Sequence, residues 1–299
     1  MISRLLSLLE FKKHKTFAIP CIFIGAFLIS FSGVWVEISG VSPVSSAFYR
    51  VFFGGIILLI LTVLNREFKW YGFSHVILLV FCGFIFAMDL YCYHLSITYI
   101  GPGLGTILPN LQVIILAGAG VFFFKEKLHP LFFLSIPIAF AGLIMIVGIK
   151  WTNFSDSYQT GLIMGFLTAF FYALFLLSLK KLQKGMNKAS FFYVLMLVSL
   201  VTAFFLGIEM VLSQDSFIIP GIKSLLVLGA LGLFSQVTAW ILITNALPHV
   251  KTSYSGLILL IQPALAFVWD VIFFQRPTSI INWMGVLLTL FAIYIATKK

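Results

Sequence analysis

The chain has 299 residues, of which 61% are hydrophobic and 9% are charged, and its formal net charge is +10. A soluble domain carries roughly 25% charged residues, so this composition excludes a water-soluble protein. Lipid allows only helices or a closed barrel, and the sequence lacks the period-two alternation of barrel strands. We therefore predict an all-α integral membrane protein.

Ten apolar segments follow one another, and they approach the length of about 20 residues that a helix needs to cross the hydrocarbon core. The connections between them are short, and none can hold a soluble domain. The three cysteines lie inside these segments, which favours packing over a disulfide framework. The segments cover approximately residues 17–37, 43–64, 75–98, 102–124, 131–149, 160–179, 190–212, 222–246, 252–273 and 280–297.

The basic residues predict the orientation, because cytoplasmic loops carry an excess of Lys and Arg. With the amino terminus inside, fifteen of the 19 basic residues lie at inner helix ends. These are Arg4, Lys12, Lys13, Lys15, Arg66, Lys69, Lys125, Lys127, Lys180, Lys181, Lys184, Lys188, Lys251, Lys298 and Lys299, against Lys150, Lys223, Arg276 and Arg50 on the outer side. We predict a bacterial-type inner membrane, two cytoplasmic termini, and basic residues that anchor at lipid headgroups rather than bind nucleic acid.

The second half of the sequence repeats the first at an offset of 150 residues. Without a gap, Gln112 falls on Gln262, inside two stretches that would each be the fourth helix of a five-helix half. Because five is odd, the second half must enter the bilayer from the opposite side. We therefore predict two inverted five-helix repeats, over residues 17–149 and 160–297, an arrangement that builds many transporters.

Several short stretches match the pattern of a known family. They are Ser42-Pro43, Ala47-Phe48-Tyr49-Arg50, Ser96 to Gln112, Phe124-Lys125-Glu126-Lys127 and Gly142 in the first half, and Asn245-Ala246-Leu247, Gln262-Pro263 and Gly285 in the second. On these residues the chain resembles the EamA-like family of the drug/metabolite transporter superfamily, with one departure at Arg276, where Glu is common. The resemblance implies a transporter with a cavity lined by helices one, three, four, six, eight and nine. It leaves the substrate open.

Asp89 is the deepest ionisable residue of the predicted helices. A charge at the centre of a membrane helix costs about 2.5–3.5 kcal/mol on insertion scales, so a carboxylate here indicates a functional or structural role. Tyr93 and Ser96 follow at i+4 and i+7 and share its face of the helix. This stripe either lines a cavity, where Asp89 couples a proton or pairs with a substrate amine, or holds a structural carboxylate bonded to hydroxyls.

Further polar and aromatic side chains complete the predicted binding or coupling site. Asn110 and Gln262 either satisfy carbonyls freed by nearby prolines or contact substrate. Arg50, two turns from the outer end of its helix, either clamps a substrate carboxylate or phosphate, pairs with an acid, for which we expect Glu37, or snorkels outward. The added site residues are Trp35, Asn110, Tyr172, Gln236, Trp240 and Gln262.

Two prolines interrupt the equivalent fourth and ninth segments. Pro109 and Pro263 lie one turn apart after the offset of 150 is applied. A proline inside a helix removes one hydrogen bond and kinks the helix, so the pair predicts a hinge in each half. Pro137 has no counterpart at Leu287, and we predict a structural role for it.

These observations predict a secondary transporter that moves a small organic metabolite by alternating access, with an amino-acid-like or nucleoside-like substrate. Its other partners would be the bilayer and protons or a counter-substrate, and it would be a monomer or homodimer. We expect no cofactor, no metal site and no enzyme activity, because the sequence lacks the spaced His, Cys and Ser motifs of such sites. The alternatives are a sugar-phosphate or nucleotide-sugar exchanger, and a non-transporting membrane scaffold or sensor.

Overall fold

A computed structural model describes residues 17–68, 72–147, 155–185 and 191–297. These ranges contain ten helices that are long and apolar enough to cross a membrane, which confirms the predicted fold class. They are α1 (Ala18–Ser39), α2 (Pro43–Leu64), α3 (Phe73–Ile100), α4 (Gly105–Phe122), α5 (Pro130–Val147), α6 (Asp156–Gln183), α7 (Phe192–Leu212), α8 (Ile222–His249), α9 (Thr252–Phe274) and α10 (Ile280–Thr297).

The helix boundaries differ from the predicted ones mainly at α6. This helix begins at Asp156 and extends past residue 179, so Lys180 and Lys181 belong to the helix and not to a loop. Several basic residues used to predict the orientation lie outside the described residues, namely Arg4, Lys12, Lys13, Lys15, Lys69, Lys150, Lys188, Lys298 and Lys299.

The helix contacts follow a pseudo-twofold relation between the halves. Three helices pack against their own counterparts, α2 on α7, α4 on α9 and α5 on α10. The equivalent pairs α3 with α6 and α8 with α1 also pack together. At the α5–α10 contact, the hydroxyl of Thr289 lies 3.5 Å from the carbonyl of Ala139, a residue 150 positions earlier. This packing agrees with two inverted repeats.

Glycines bring α5 and α10 into close backbone contact. A methyl group added at Gly142 would lie 2.7 Å from the carbonyl oxygen of Gly285, and one added at Gly285 would lie 2.6 Å from that of Gly142. Lipid tails are as apolar as side chains, so helices in a bilayer associate mainly through close van der Waals packing. The two glycines therefore stabilise the contact between the halves.

We expect Gly142→Ala to destabilise the protein, because the added methyl group has no room beside the α10 backbone. Overpacking costs roughly 1–3 kcal/mol. Gly118→Ala in α4 is the matched control, since a methyl group there meets nothing within 4 Å and alanine favours a helix over glycine by up to about 1 kcal/mol. Thermal unfolding of the purified variants should lower the midpoint only for Gly142→Ala, and equal shifts would contradict this assignment.

Both α4 and α9 are interrupted, and the interruptions coincide under the offset of 150. In α4 a 3₁₀ turn occupies Leu108–Leu111 and contains Pro109. In α9 the first helical part ends at Ile258 and the next begins at Ile261. Pro263 cannot donate to the carbonyl four residues earlier, and that carbonyl instead accepts from the N–H of Gln262 at 3.1 Å. The kinks are present, and their use as hinges stays a prediction.

The ends of α4 and α9 close with the same backbone motif. Lys125 and Gln275, which are 150 positions apart, have left-handed φ angles of 51° and 52°. In each case the N–H of the following residue bonds back to a carbonyl six residues earlier, that of Gly120 in α4 and that of Asp270 in α9. This bond satisfies a carbonyl that the helix end would otherwise leave without a partner.

The helix ends define two faces of the molecule. The end of α4, the end of α6 and the start of α9 lie together on one face, which we call the basic face because Lys125, Lys127, Lys181 and Lys251 lie there. The end of α1, the end of α9 and the start of α10 lie on the opposite face.

Candidate functional site

Polar side chains from both repeats meet between α2, α3, α6, α8 and α9. Asp89 of α3 is only 6% exposed, and it interacts electrostatically with the guanidinium of Arg50 and the phenols of Tyr93 and Tyr172. Gln236 is hydrogen-bonded to Arg50, and Gln262 lies beside Tyr172. We call this set the central cluster: Arg50, Asp89, Tyr93, Tyr172, Gln236 and Gln262.

Asp89 and Arg50 share the central cluster without touching. Within the described residues, neither side chain forms an ion pair, and Asp89 takes part in no hydrogen bond. A carboxylate at this depth is costly without a partner, which leaves Asp89 with an unmet capacity to bind a cation or a proton.

Arg50 is held by an amide and not by the acid that the sequence suggested. Its Nε donates to Oε1 of Gln236 at 3.2 Å, and Nε2 of Gln236 donates to the hydroxyl of Ser199 at 3.0 Å. The expected pairing with Glu37 is wrong, because the α2–α8 packing turns Arg50 toward Asp89. In the part of the chain that the structure describes, the two NH₂ groups of Arg50 have no hydrogen-bond acceptor.

Tyr172 and Gln262 bring α6 and α9 into the central cluster. Gln262 lies close enough to Tyr172 to interact with its phenol, and Nε2 of Gln262 is buried without a hydrogen-bond partner in the structure. Asn110 contacts the backbone, because its Nδ2 donates to the carbonyl of Thr106 at 2.6 Å, and its contact with substrate stays a prediction. Its side chain thus satisfies a carbonyl beside the Pro109 kink.

Two of the predicted site residues lie in packed surroundings. Ser96 is fully buried, its hydroxyl has no partner in the structure, and a methyl group at Gly165 of α6 would lie 2.9 Å from its Oγ. Trp240 is 2% exposed, and its ring centroid lies 5.0 Å from that of Phe175 and 5.8 Å from that of Phe86. Both residues support the cluster from the α3–α6 and α6–α8 contacts, and their contact with substrate stays a prediction.

Trp35 lies nearer to the opposite face. Its ring is stacked with that of Phe234 at a centroid distance of 6.3 Å, and its Nε1 is buried without a hydrogen-bond partner in the structure. The neighbouring Ser32 donates to the hydroxyl of Ser235 at 3.0 Å. These contacts join α1 to α8 above the central cluster.

A cavity of about 310 Å³ opens at the face opposite the basic face. We call it the vestibule, and it is lined by Gly33, Glu37, Asp270, Phe274 and Arg276. Nη1 of Arg276 lies 3.3 Å from Oδ2 of Asp270, so this acid is ion-paired. Sequence reasoning did not join these residues into one pocket, because α1 and α9 meet only in the folded chain. One sequence feature could have indicated this pocket, namely Arg276 at a position where the family commonly has Glu.

The vestibule and the central cluster are neighbours. Asp270 interacts electrostatically with Glu37 on one side and with Tyr93 on the other. Tyr93 in turn interacts with Asp89. A chain of polar groups therefore leads from the vestibule to the deepest carboxylate.

The basic face is closed by a network that joins the two halves. Glu126 accepts hydrogen bonds from the backbone N–H of Thr252 at 2.6 Å, and from the N–H and hydroxyl of Ser253 at 3.2 and 2.7 Å. Nζ of Lys180 donates to the carbonyl of Val250 at 2.7 Å and to the hydroxyl of Thr252 at 2.8 Å. We call this network the latch.

The latch corrects one prediction and contains a residue that sequence reasoning missed. Lys180 is 4% exposed, so it is not an anchor at lipid headgroups. Burial raises the pKa of Glu126, but its bonds to Ser253 and Thr252 and the nearby charge of Lys180 lower that pKa more, so it lies below its ordinary value. In the sequence, Glu126 belongs only to the stretch Phe124-Lys125-Glu126-Lys127 on which the family resemblance rests.

Comparisons with known proteins add three findings. The sequence model of the EamA-like transporter family matches residues 16–148 and again residues 159–298. A Bacillus subtilis (strain 168) protein, named "Uncharacterized transporter YxxF", is 25% identical over 186 residues, which cover 60% of this chain and 56% of that relative. A solved structure, described only as "Crystal structure of protein", has a TM-score of 0.82 and 16% identity, over 95% of this chain and 99% of that one. That likeness concerns the fold alone.

Proposed function

The chain belongs to the EamA-like transporter family, and we propose that it is a secondary transporter that carries a small organic metabolite across the membrane by alternating access. One observation carries the proposal. Asp89 and Arg50 are two opposite charges in the buried contact between the repeats, close enough to interact but not bonded to each other. Inverted-repeat transporters bind their substrates in this position, near the midplane at the interface of the repeats.

The orientation follows from the excess of basic residues. We assign the basic face to the cytoplasm of a bacterial-type inner membrane, because Lys and Arg accumulate on that side. The vestibule then opens outward, and the latch closes the cytoplasmic side. In this state a solute from outside would pass Glu37 and Asp270 before it reaches Tyr93 and Asp89.

The two charges of the central cluster favour an amino-acid-like substrate. An ammonium group would bind Asp89, and a carboxylate would bind the NH₂ groups of Arg50, whose fork suits both carboxylate oxygens. Gln236 occupies Nε of Arg50 and so directs the remaining donors. A nucleoside-like substrate would instead stack on Tyr93 or Tyr172 and bond to Gln262.

A sugar-phosphate or nucleotide-sugar exchanger is the second candidate. Arg50 lies near Asp89 in the central cluster, and its NH₂ groups are the donors that an anion site would use. Asp89 opposes a substrate that carries only negative charge, because like charges repel strongly where water is scarce. For this reason the zwitterion is the preferred substrate class.

Purified protein in lipid vesicles tests the proposal. We expect counterflow of labelled amino acids, and thermal stabilisation by zwitterions that exceeds the effect of analogues lacking either the amine or the carboxylate. A ligand at a hundred times its Kd stabilises the folded state by about 2.7 kcal/mol, which a thermal shift detects. If sugar phosphates alone exchange, the second candidate is correct. If no amino acid, nucleoside or sugar phosphate crosses, the transporter proposal fails in favour of a scaffold or sensor.

A further inference from the structure

We propose that Glu126 is the gating residue of the cytoplasmic side, and that the latch makes the state with the open vestibule the resting state of the protein. This inference rests on the proposed transport, because a gate has meaning only where a solute passes. The latch is a contact between the halves, since Glu126 follows α4 of the first repeat while Thr252 and Ser253 begin α9 of the second. Separating these helix ends on the basic face requires that its bonds break.

The start of α9 is built to receive a carboxylate. Val250 and Lys251 are extended, with ψ angles of 145° and 137°, so the first N–H groups of α9 have no partner within the helix. Glu126 supplies the acceptor from the other repeat, where the helix dipole also favours a negative charge. Gly120 in α4 leaves the space for this contact, because a methyl group there would collide with the carboxylate of Glu126 and the hydroxyl of Ser253.

Two lysines reinforce the latch from different elements. Lys180 of α6 bonds to Val250 and Thr252 and lies close enough to Glu126 to interact with its charge. Lys251 donates from Nζ to the carbonyl of Lys127 at 2.5 Å. The ends of α4 and α6 and the start of α9 are thereby connected around the carboxylate of Glu126.

Among the described residues, the opposite face shows no equivalent latch. The residue 150 positions after Glu126 is Arg276, and it pairs with Asp270 of its own helix. Helical hydrogen bonding runs without a break from Phe73 to Ile107, so the start of α4 presents no row of free N–H groups for an acid to cap. In the part of the chain that the structure describes, a network of hydrogen bonds between the halves closes the basic face and none closes the opposite face.

The latch should not act as a pH switch in the cytoplasmic range. Among the described residues, Lys180 is the charged group that acts on Glu126, and it favours the ionised form. A carboxylate with a lowered pKa stabilises the folded contact above its unfolded pKa, and the contribution is lost only as pH falls through the folded pKa. Because the pKa of Glu126 lies below its ordinary value, the latch stays intact between about pH 6 and pH 8.

Two cysteine reporters test the gate without any substrate. Gly33→Cys lies in the vestibule, where an added side chain meets nothing within 4 Å. Ala117→Cys lies one turn before Gly120 in α4 and is 6% exposed. The three native cysteines are buried and give a low background. In Glu126→Gln we expect labelling by a membrane-impermeant maleimide to rise about tenfold at residue 117 and to fall at residue 33, because the population shifts toward the inward-facing state.

The opposite signs of these two changes separate gating from loosening. Ser253→Ala removes one bond of the latch, and it should shift both reporters in the same directions by less. Glu209→Gln, on the opposite face, is the matched control and should leave both unchanged. Labelling that rises at both positions, or changes at neither, would overturn the proposal. Because the reporters need no solute, the result stands apart from any failure of the transport assays.

Discussion

Asp89→Asn should strongly reduce transport of an amine-bearing substrate while the protein stays folded. Asparagine keeps the shape of the side chain and removes the charge that would bind the ammonium group. A hydrogen bond to a charged group contributes about 1.5–3 kcal/mol, so uptake at low substrate concentration should fall by roughly one to two orders of magnitude. Initial uptake rates in vesicles measure this loss, and a thermal midpoint equal to or above that of the parent shows that the fold is retained.

Asp156→Asn is the matched control, because Asp156 lies exposed in the first turn of α6. We expect its uptake rate to equal that of the parent protein. A parental rate in Asp89→Asn would assign Asp89 a purely structural role. An equal loss in both variants would show that the assay reports expression or folding instead of binding.

The double variant Pro109→Ala, Pro263→Ala should slow transport about tenfold or more, with substrate affinity nearly unchanged. A proline within a helix costs about 3 kcal/mol or more in helical continuity, so alanine at both kinks favours straight helices that resist bending. Exchange rates in vesicles measure cycling, and thermal shifts over a range of substrate concentrations measure affinity. A slower rate with equal affinity is the signature of an impaired conformational step.

Pro137→Ala provides the comparison for the hinges. Pro137 also lies inside a helix, α5, but Leu287 occupies the equivalent position in α10, so no paired kink exists there. We expect this variant to transport at the parental rate. If Pro137→Ala slows exchange as much as the double variant does, the paired kinks have no special part in the cycle.

The central cluster combines a symmetric backbone with an asymmetric lining. Its charges come from the first repeat, since the positions equivalent to Arg50 and Asp89 are Leu200 and Ala239. The second repeat contributes the amides of Gln236 and Gln262. A substrate held by charges on one half and amides on the other contacts both halves, which is what alternating access requires of a site between two moving bodies.

The sequence by itself determined the membrane class, the ten spans and the register of the repeat. Each is readable because it depends on local properties, the apolar content of about 20 consecutive residues and the positions of prolines along a helix. The coincidence of the breaks in α4 and α9 under an offset of 150 agrees with that register. Asp89 likewise stood out, because the cost of a charge at its depth is a property of one helix.

Only the tertiary structure decided which side chains meet. Arg50 bonds to a residue 186 positions away, Glu126 to residues 126 and 127 positions away, and Lys180 to residues 70 and 72 positions away. Sequence spacing predicts neighbours along one helix, but it does not state which face of a helix packs against which other helix. Because of this packing, Arg50 bonds to Gln236 and not to Glu37, and Lys180 is buried in the latch and not at the lipid headgroups. The same packing brings the two halves together at Glu126.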